Sequence, residues 1–171
     1  MQSIMKGYIK EGNRHGVRFF FMEGTHEHPE RGRCWTFDLL KPSDVGSVFL
    51  STQEVEPCVR PIGETIEELQ IDALLGFSQG AAMVDAFLST KEGHRIQKVV
   101  LMSPFSVLRK ESKKEHTVPT FFVVDDEDTV ATPDLIPVEE YLDVRWLLHK
   151  KGHKITTSRT HVKEICSFLS S

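Results

Sequence analysis

Residues 76–80 read Gly-Phe-Ser-Gln-Gly, a G-x-S-x-G pattern centred on Ser78. A serine hydroxyl is a poor nucleophile at neutral pH. It becomes useful when a base takes its proton and an acid orients that base. An apolar run, residues 71–77 (IDALLGF), leads into the pattern, and small and apolar residues at helical spacing, 79–89 (QGAAMVDAFLS), lead out of it. That context predicts a strand, a strained turn bearing Ser78, and a helix whose first amides and positive dipole end face the hydroxyl. Glycines two residues to either side would let strand and helix pass close together. The competing reading is a tight turn with an incidental serine.

Two other strand ends carry groups that could serve Ser78. After the apolar stretch 118–124 come Asp125, Asp126, Glu127 and Asp128, four candidates for the acid. A solvated acidic loop would account for three of them. After residues 144–148 (VRWLL) comes His149-Lys150-Lys151-Gly152-His153, and either histidine could be the base. The informative feature is the order, serine then acid then histidine, which is the chain order of α/β-hydrolases. The remaining histidines read more blandly. His26 and His28 form an H-x-H without an evident third ligand, and His15, His94, His116 and His161 sit in polar, exposed-looking stretches. Neither a metal nor a cofactor is called for: no G-x-G-x-x-G or P-loop pattern is present.

The elements that must position these groups follow from the hydrophobic pattern. Residues 17–22, 71–77, 98–102, 118–124 and 144–148 are short, continuously apolar runs, which indicate about five strands of a mostly parallel sheet with helices on both faces. In such sheets chemistry gathers at the carboxyl ends of the strands. Short helices are predicted over 3–10 (broken by 12–16), 63–70, 134–141 and 158–169, the last with Ser158 as N-cap. Residues 30–61 carry two glycines and three prolines and read as an irregular, cap-like insertion in a single domain spanning 1–171. The 171 residues carry a net charge of −4 with no long basic run, which argues against nucleic acid as a partner. No run of about 18 apolar residues could span a membrane. Cys34, Cys58 and Cys166 are odd in number and widely spaced, which fits a reducing, cytoplasmic or nuclear compartment.

The segment Leu74-Leu75-Gly76-Phe77-Ser78-Gln79-Gly80-Ala81-Ala82 resembles the nucleophile segment of the fungal-type serine hydrolases, the family of the ovarian cancer-associated gene 2 product. It is also close to that of acyl-protein thioesterases and related carboxylesterases. Residues 122–132 (FVVDDEDTVAT) resemble the family's G-x-x-D-x-x-V-P, which implies Asp128 as the acid. Residues 149–155 (HKKGHKI) resemble its H-x-G-G-H-x-V-P, which implies His153 as the base. Residues 99–105 and 17–28 resemble the family's intervening and earlier strands. Asp125 and Lys151 stand where this pattern has glycine, and Thr132 where it has proline.

The resemblance implies an α/β-hydrolase fold and a small-molecule ester or thioester substrate. It also exposes a departure. Family members begin with a strand beside the nucleophile strand, followed by a loop that supplies one oxyanion amide, and this sequence begins within the helix that follows. Of the two amides, that of Gln79 remains. The strand 71–77 would then lack a neighbour unless 17–22 slides across or another chain, such as a second copy in a homodimer, fills the gap. A weakly catalytic or inactive binding or regulatory protein, or a truncated isoform, is therefore the alternative to an active esterase. Trp35 and Phe37 are candidates for an acyl pocket with walls drawn from 30–61 and 106–117.

Overall fold

The computed structural model describes residues 4–28, 32–35, 45, 49–90, 93–109 and 114–171. Its centre is a four-stranded, wholly parallel sheet: β3 (Ala73–Phe77), β4 (Lys98–Met102), β5 (Thr120–Val124) and β6 (Val144–Leu148), side by side in that order. Two short strands outside it, β1 (His26–His28) and β2 (Gly32–Cys34), pair antiparallel.

Side chains alternate across a strand, so a continuously apolar strand feeds two cores. Val99 and Leu101 of β4 and Phe122 and Val124 of β5 pack with α2 (Thr52–Leu69) and α3 (Gln79–Leu88) on one face. Val100, Met102, Phe121 and Val123 pack with α1 (Lys6–Arg14) and α4 (Arg159–Ser170) on the other. This is the parallel sheet with helices on both faces that the apolar runs predict.

Several local expectations are corrected. Residues 17–22 form no strand, which reduces the parallel sheet from about five strands to four. Their composition suits a strand, but a strand needs a ladder partner, and these residues pair with none. The first helix runs through Gly12 rather than stopping there. A Cβ at Gly12 would lie 2.5 Å from the Phe19 ring, so this glycine makes room for the returning chain, and the helix ends ahead of Gly16 at φ +76°.

The predicted helix 63–70 is only the last part of α2, which begins at Thr52 inside the stretch read as irregular. Pro57 and Pro61 lie within it, each lacking the amide that an interior helical position uses. The helix is sustained by a buried stripe of Val55, Cys58, Val59, Ile62 and Ile66 and by a capping box. In that box Glu54 N donates to Ser51 Oγ (3.3 Å) and Ser51 N donates to Glu54 Oε2 (2.7 Å). Residues 134–141 form two 3₁₀ turns, Pro133–Leu135 and Val138–Glu140, because Pro137 interrupts any longer helix. Ser158 does precede α4, but its side chain makes no capping bond.

Candidate active site

Ser78 sits between β3 and α3 at φ 52°, ψ −121°, a conformation that L-residues rarely adopt. Two contacts hold it there. Its N–H donates to Met102 O at 2.9 Å, continuing the β3–β4 ladder, and Ala82 N donates to its carbonyl at 3.0 Å, opening α3. The two flanking glycines differ in role. A Cβ at Gly76 would lie 2.6 Å from Ala81 Cα, so no side chain fits where strand and helix cross. A Cβ at Gly80 would meet only Trp35 Nε1 at 3.8 Å, so Gly80 is not needed for that crossing.

The ends of β3, β5 and β6 bring three of the singled-out side chains together. His153 Nε2 lies 2.8 Å from Ser78 Oγ. His153 Nδ1 lies 2.9 Å from Asp128 Oδ2 and 3.1 Å from Oδ1. The His153 ring rests against Phe77, with ring centroids 5.1 Å apart. Asp128 is buried, and its Oδ1 also accepts from Val130 N (2.8 Å) and Ala131 N (3.0 Å). Burial pushes the Asp128 carboxyl up, but the hydrogen bond from His153 and the two backbone donors outweigh it, leaving the group below its ordinary value. A carboxylate, an imidazole and a hydroxyl in this chain can move a proton off the hydroxyl while the carboxylate steadies the charged ring.

The other acids and the other histidine separate cleanly. Asp126 and Glu127 are exposed, as an acidic loop would be. Asp125 is not: it is buried, its Oδ1 accepts from Glu127 N, and its Oδ2 accepts from Lys151 N and Gly152 N. His149 is buried beside it, with Nδ1 3.3 Å from Asp125 Oδ2, and neither ring nitrogen makes a hydrogen bond. Burial is the largest influence on His149 and holds it below the ordinary imidazole value, against the pull of Asp125. Among the described contacts none joins it to Ser78.

His116, read as exposed, is buried against the Tyr141 ring, and burial takes its pKa down to about 4. Among the described residues no group of three His, Cys, Asp or Glu could hold a metal, and the three cysteines are buried and outside any disulfide.

These buried groups give a stability prediction. A histidine with a folded pKa below its unfolded 6.5 contributes stability that is fully present above pH 6.5 and is lost as pH falls. For His116 the loss extends to about pH 4. Asp125 and Asp128, both lowered, contribute above the ordinary carboxylate value of 3.8 and lose that contribution below it. The melting temperature should therefore decline from pH 6.5 to 4 and fall further at lower pH. A melting temperature constant between pH 6.5 and 4 would contradict this account.

A trough of about 1240 Å³ runs along the outer edge of β3 and reaches Ser78 and Gln79. Residues 15–24, including Phe20, Phe21 and Met22, form a wall that the sequence did not mark, Arg33 and Trp35 from the expected stretch 30–61 also line it, and no described residue of 106–117 does. Of the expected acyl-pocket residues, Trp35 lines it, held by a hydrogen bond from its backbone N to Gln79 Oε1 (2.7 Å), and Phe37 lies outside the described residues. β3 is the sheet's edge, and residues 17–22 have not moved across to pair with it. Because Ser78 N faces β4, the alternation of the ladder turns the backbone groups of Ala73, Leu75 and Phe77 toward the trough.

A parallel sheet with helices on both faces, and a strained serine at the end of one of its strands, defines the α/β-hydrolase class. Comparison with known proteins then gives the family. The family described as Serine hydrolase (FSH1) matches residues 5–165, and the chain belongs to it. Solved structures with the same fold include a carboxylesterase from Bacillus cereus at 12% identity and TM-score 0.70, covering 95% of this chain and 78% of that one. A carboxylesterase from Mesorhizobium loti aligns at 15% identity and TM-score 0.71, covering 96% and 81%. SOBER1 from Arabidopsis thaliana aligns at 15% identity and TM-score 0.66, covering 98% and 90%. No curated protein sequence matches. The chain is a serine hydrolase by family, and among the described residues no helix is long and apolar enough to cross a membrane.

Proposed function

We propose that the protein cleaves a carboxylic ester or thioester through an acyl-enzyme on Ser78. The supporting observation is the unbroken run of contacts from Ser78 Oγ through His153 to Asp128. Ser78 Oγ attacks the acyl carbon while His153 Nε2 takes the hydroxyl proton. The tetrahedral oxyanion lies at the start of α3, where the Gln79 amide faces it. As the intermediate collapses, the bond to the alkoxide or thiolate breaks and His153 hands that leaving group its proton. Water then repeats the sequence on the acyl-enzyme, and the carboxylic acid departs. Asp128 fixes the imidazole with Nδ1 protonated and stabilises its charged form. The acyl group lies in the trough, against Trp35, Phe20 and Phe21. Residues 1–171 act in this reading as one domain.

The open edge of β3 favours a second reading, a protein that acylates at Ser78 but turns over slowly. One missing oxyanion donor typically costs about 10²–10³ in turnover. Labelling with a fluorophosphonate probe, followed by p-nitrophenyl esters and acyl thioesters of graded length, distinguishes the two. Labelling with measurable turnover supports the first reading and labelling without turnover the second. Absence of labelling in the folded protein would sink both. A base must be free of its proton to work, so ester hydrolysis should fall on acidification. A rate flat from pH 5 to 8 would count against a histidine base.

A further inference from the structure

Two loops must be in register for His153 to reach both its partners: residues 125–131, which carry Asp128, and residues 149–153. Besides the His153–Asp128 pair itself, an ion pair of Lys150 Nζ with Asp126 Oδ2 (3.8 Å) and the approach of His149 to Asp125 join them. The shortest contacts are made by one side chain that the proposed chemistry does not use. Asp125 Oδ1 accepts from Glu127 N at 2.8 Å, and the Asp128 N–H donates to Asp125 O at 3.2 Å, so this residue closes the turn that presents Asp128. Its other oxygen, Oδ2, crosses to the second loop and accepts from Lys151 N and from Gly152 N, the latter at 2.7 Å. The side chain is fully shielded from solvent. A buried carboxylate can take all three donors because both its oxygens only accept.

We propose that Asp125 is a positioning residue, a clamp whose carboxylate sets the loop carrying His153 against the turn carrying Asp128. The family pattern has glycine at both 125 and 151, and this chain replaces both. The two replacements meet: the Asp125 side chain bonds the backbone of Lys151. Within 149–153 only Gly152 has a positive φ, at 64°, so Lys151 sits in backbone that needs no glycine. The two substitutions therefore form one device, a carboxylate anchor in place of a flexible glycine pair. The proposal rests on the reading of Ser78, His153 and Asp128 given above.

The clamp is tested on the full chain with Asp125→Asn. Asparagine keeps the shape but places an NH₂ group against one set of backbone donors. A displacement of about 1 Å can cost roughly 10²-fold in rate. Labelling of Ser78 by fluorophosphonate, and kcat for p-nitrophenyl butyrate, should fall about 10- to 100-fold with KM little changed. The low-field proton resonance of the His153–Asp128 hydrogen bond should broaden or vanish, and the Lys151 and Gly152 amides should exchange faster. A lowered melting temperature with native labelling rate and an unchanged resonance would mean that Asp125 only stabilises the fold, and would overturn the proposal.

A mutant cycle of Asp125→Gly, Lys151→Gly and the double variant reads the pairing. The double variant should recover most of what Asp125→Gly loses, and simple addition of the two losses would refute the shared device. Exchange at Lys151 and Gly152 in the native protein keeps the clamp falsifiable if Asp125→Asn fails to fold: rapid exchange there overturns it. Amide exchange and the proton resonance do not depend on turnover. Failure of the clamp is thus separable from failure of the hydrolase reading, which shows as loss of labelling in the native protein.

Discussion

Replacing Ser78 by alanine should abolish fluorophosphonate labelling and reduce ester turnover by at least about 10³–10⁴-fold. Removing the nucleophile of a fully equipped serine hydrolase costs about 10⁶-fold, and what survives comes from the oxyanion site and substrate binding. On the slow-turnover reading proposed above, with one oxyanion donor of two, the native rate starts about 10²–10³ lower. The difference between these figures sets the smallest drop expected. The fold should tolerate the change. Among the described residues Ser78 Oγ bonds to His153 alone, while the contacts that hold the turn, to Met102 O and from Ala82 N, are made by the Ser78 backbone. The melting temperature should therefore move little. Labelling that persists in Ser78→Ala would place the reactive group elsewhere, and turnover within tenfold of native would mean that Ser78 is not the nucleophile.

The parts of this molecule legible in its sequence are those where composition and position reinforce each other. Lys98–Met102 and Val144–Leu148 are strands over the residues their apolar runs mark, because each is bounded by polar residues and flanked by crossovers. Ser78 was legible because Gly76 leaves no room for a side chain at a strand–helix crossing, a constraint the motif records. Which acid and which histidine face Ser78 was not legible from the residues alone. Asp125 and Asp128 are both buried acids, and His149 and His153 differ only in which way a loop turns after β6. The family pattern, not residue type, separated them.

The misreadings share a cause. Residues 17–22 have strand composition, yet a strand forms only against a partner, and partnership is not written in the segment itself. In α2 the two prolines outweighed a stripe at helical spacing and the Ser51–Glu54 capping box, a start signal that was there to be read. The polar neighbours of His116 in the sequence suggest a surface residue, but it packs on Tyr141, brought from 25 positions further along.

Asp128→Asn is the more discriminating substitution, because it changes no volume and tests the direction of proton flow. Asp128 Oδ1 accepts from Val130 N and Ala131 N, and Oδ2 takes the hydrogen bond from His153 Nδ1. An asparagine must keep its carbonyl oxygen toward the two backbone donors, since its NH₂ group would oppose them. The NH₂ group then faces His153 Nδ1, which must become an acceptor. In the neutral imidazole this moves the proton to Nε2, the nitrogen 2.8 Å from Ser78 Oγ. A protonated Nε2 cannot take the hydroxyl proton, so the variant holds the wrong tautomer in a nearly native geometry. The expected result is a loss of about 10³–10⁴-fold in kcat and in the labelling rate. KM should change little, because substrate binding in the trough is untouched. If the two backbone donors instead yield and the amide flips, His153 keeps its tautomer and the rate falls far less. A loss below tenfold would thus show either that the Val130 and Ala131 amides do not fix the orientation of the side chain at 128, or that the acid's role is not to choose the tautomer.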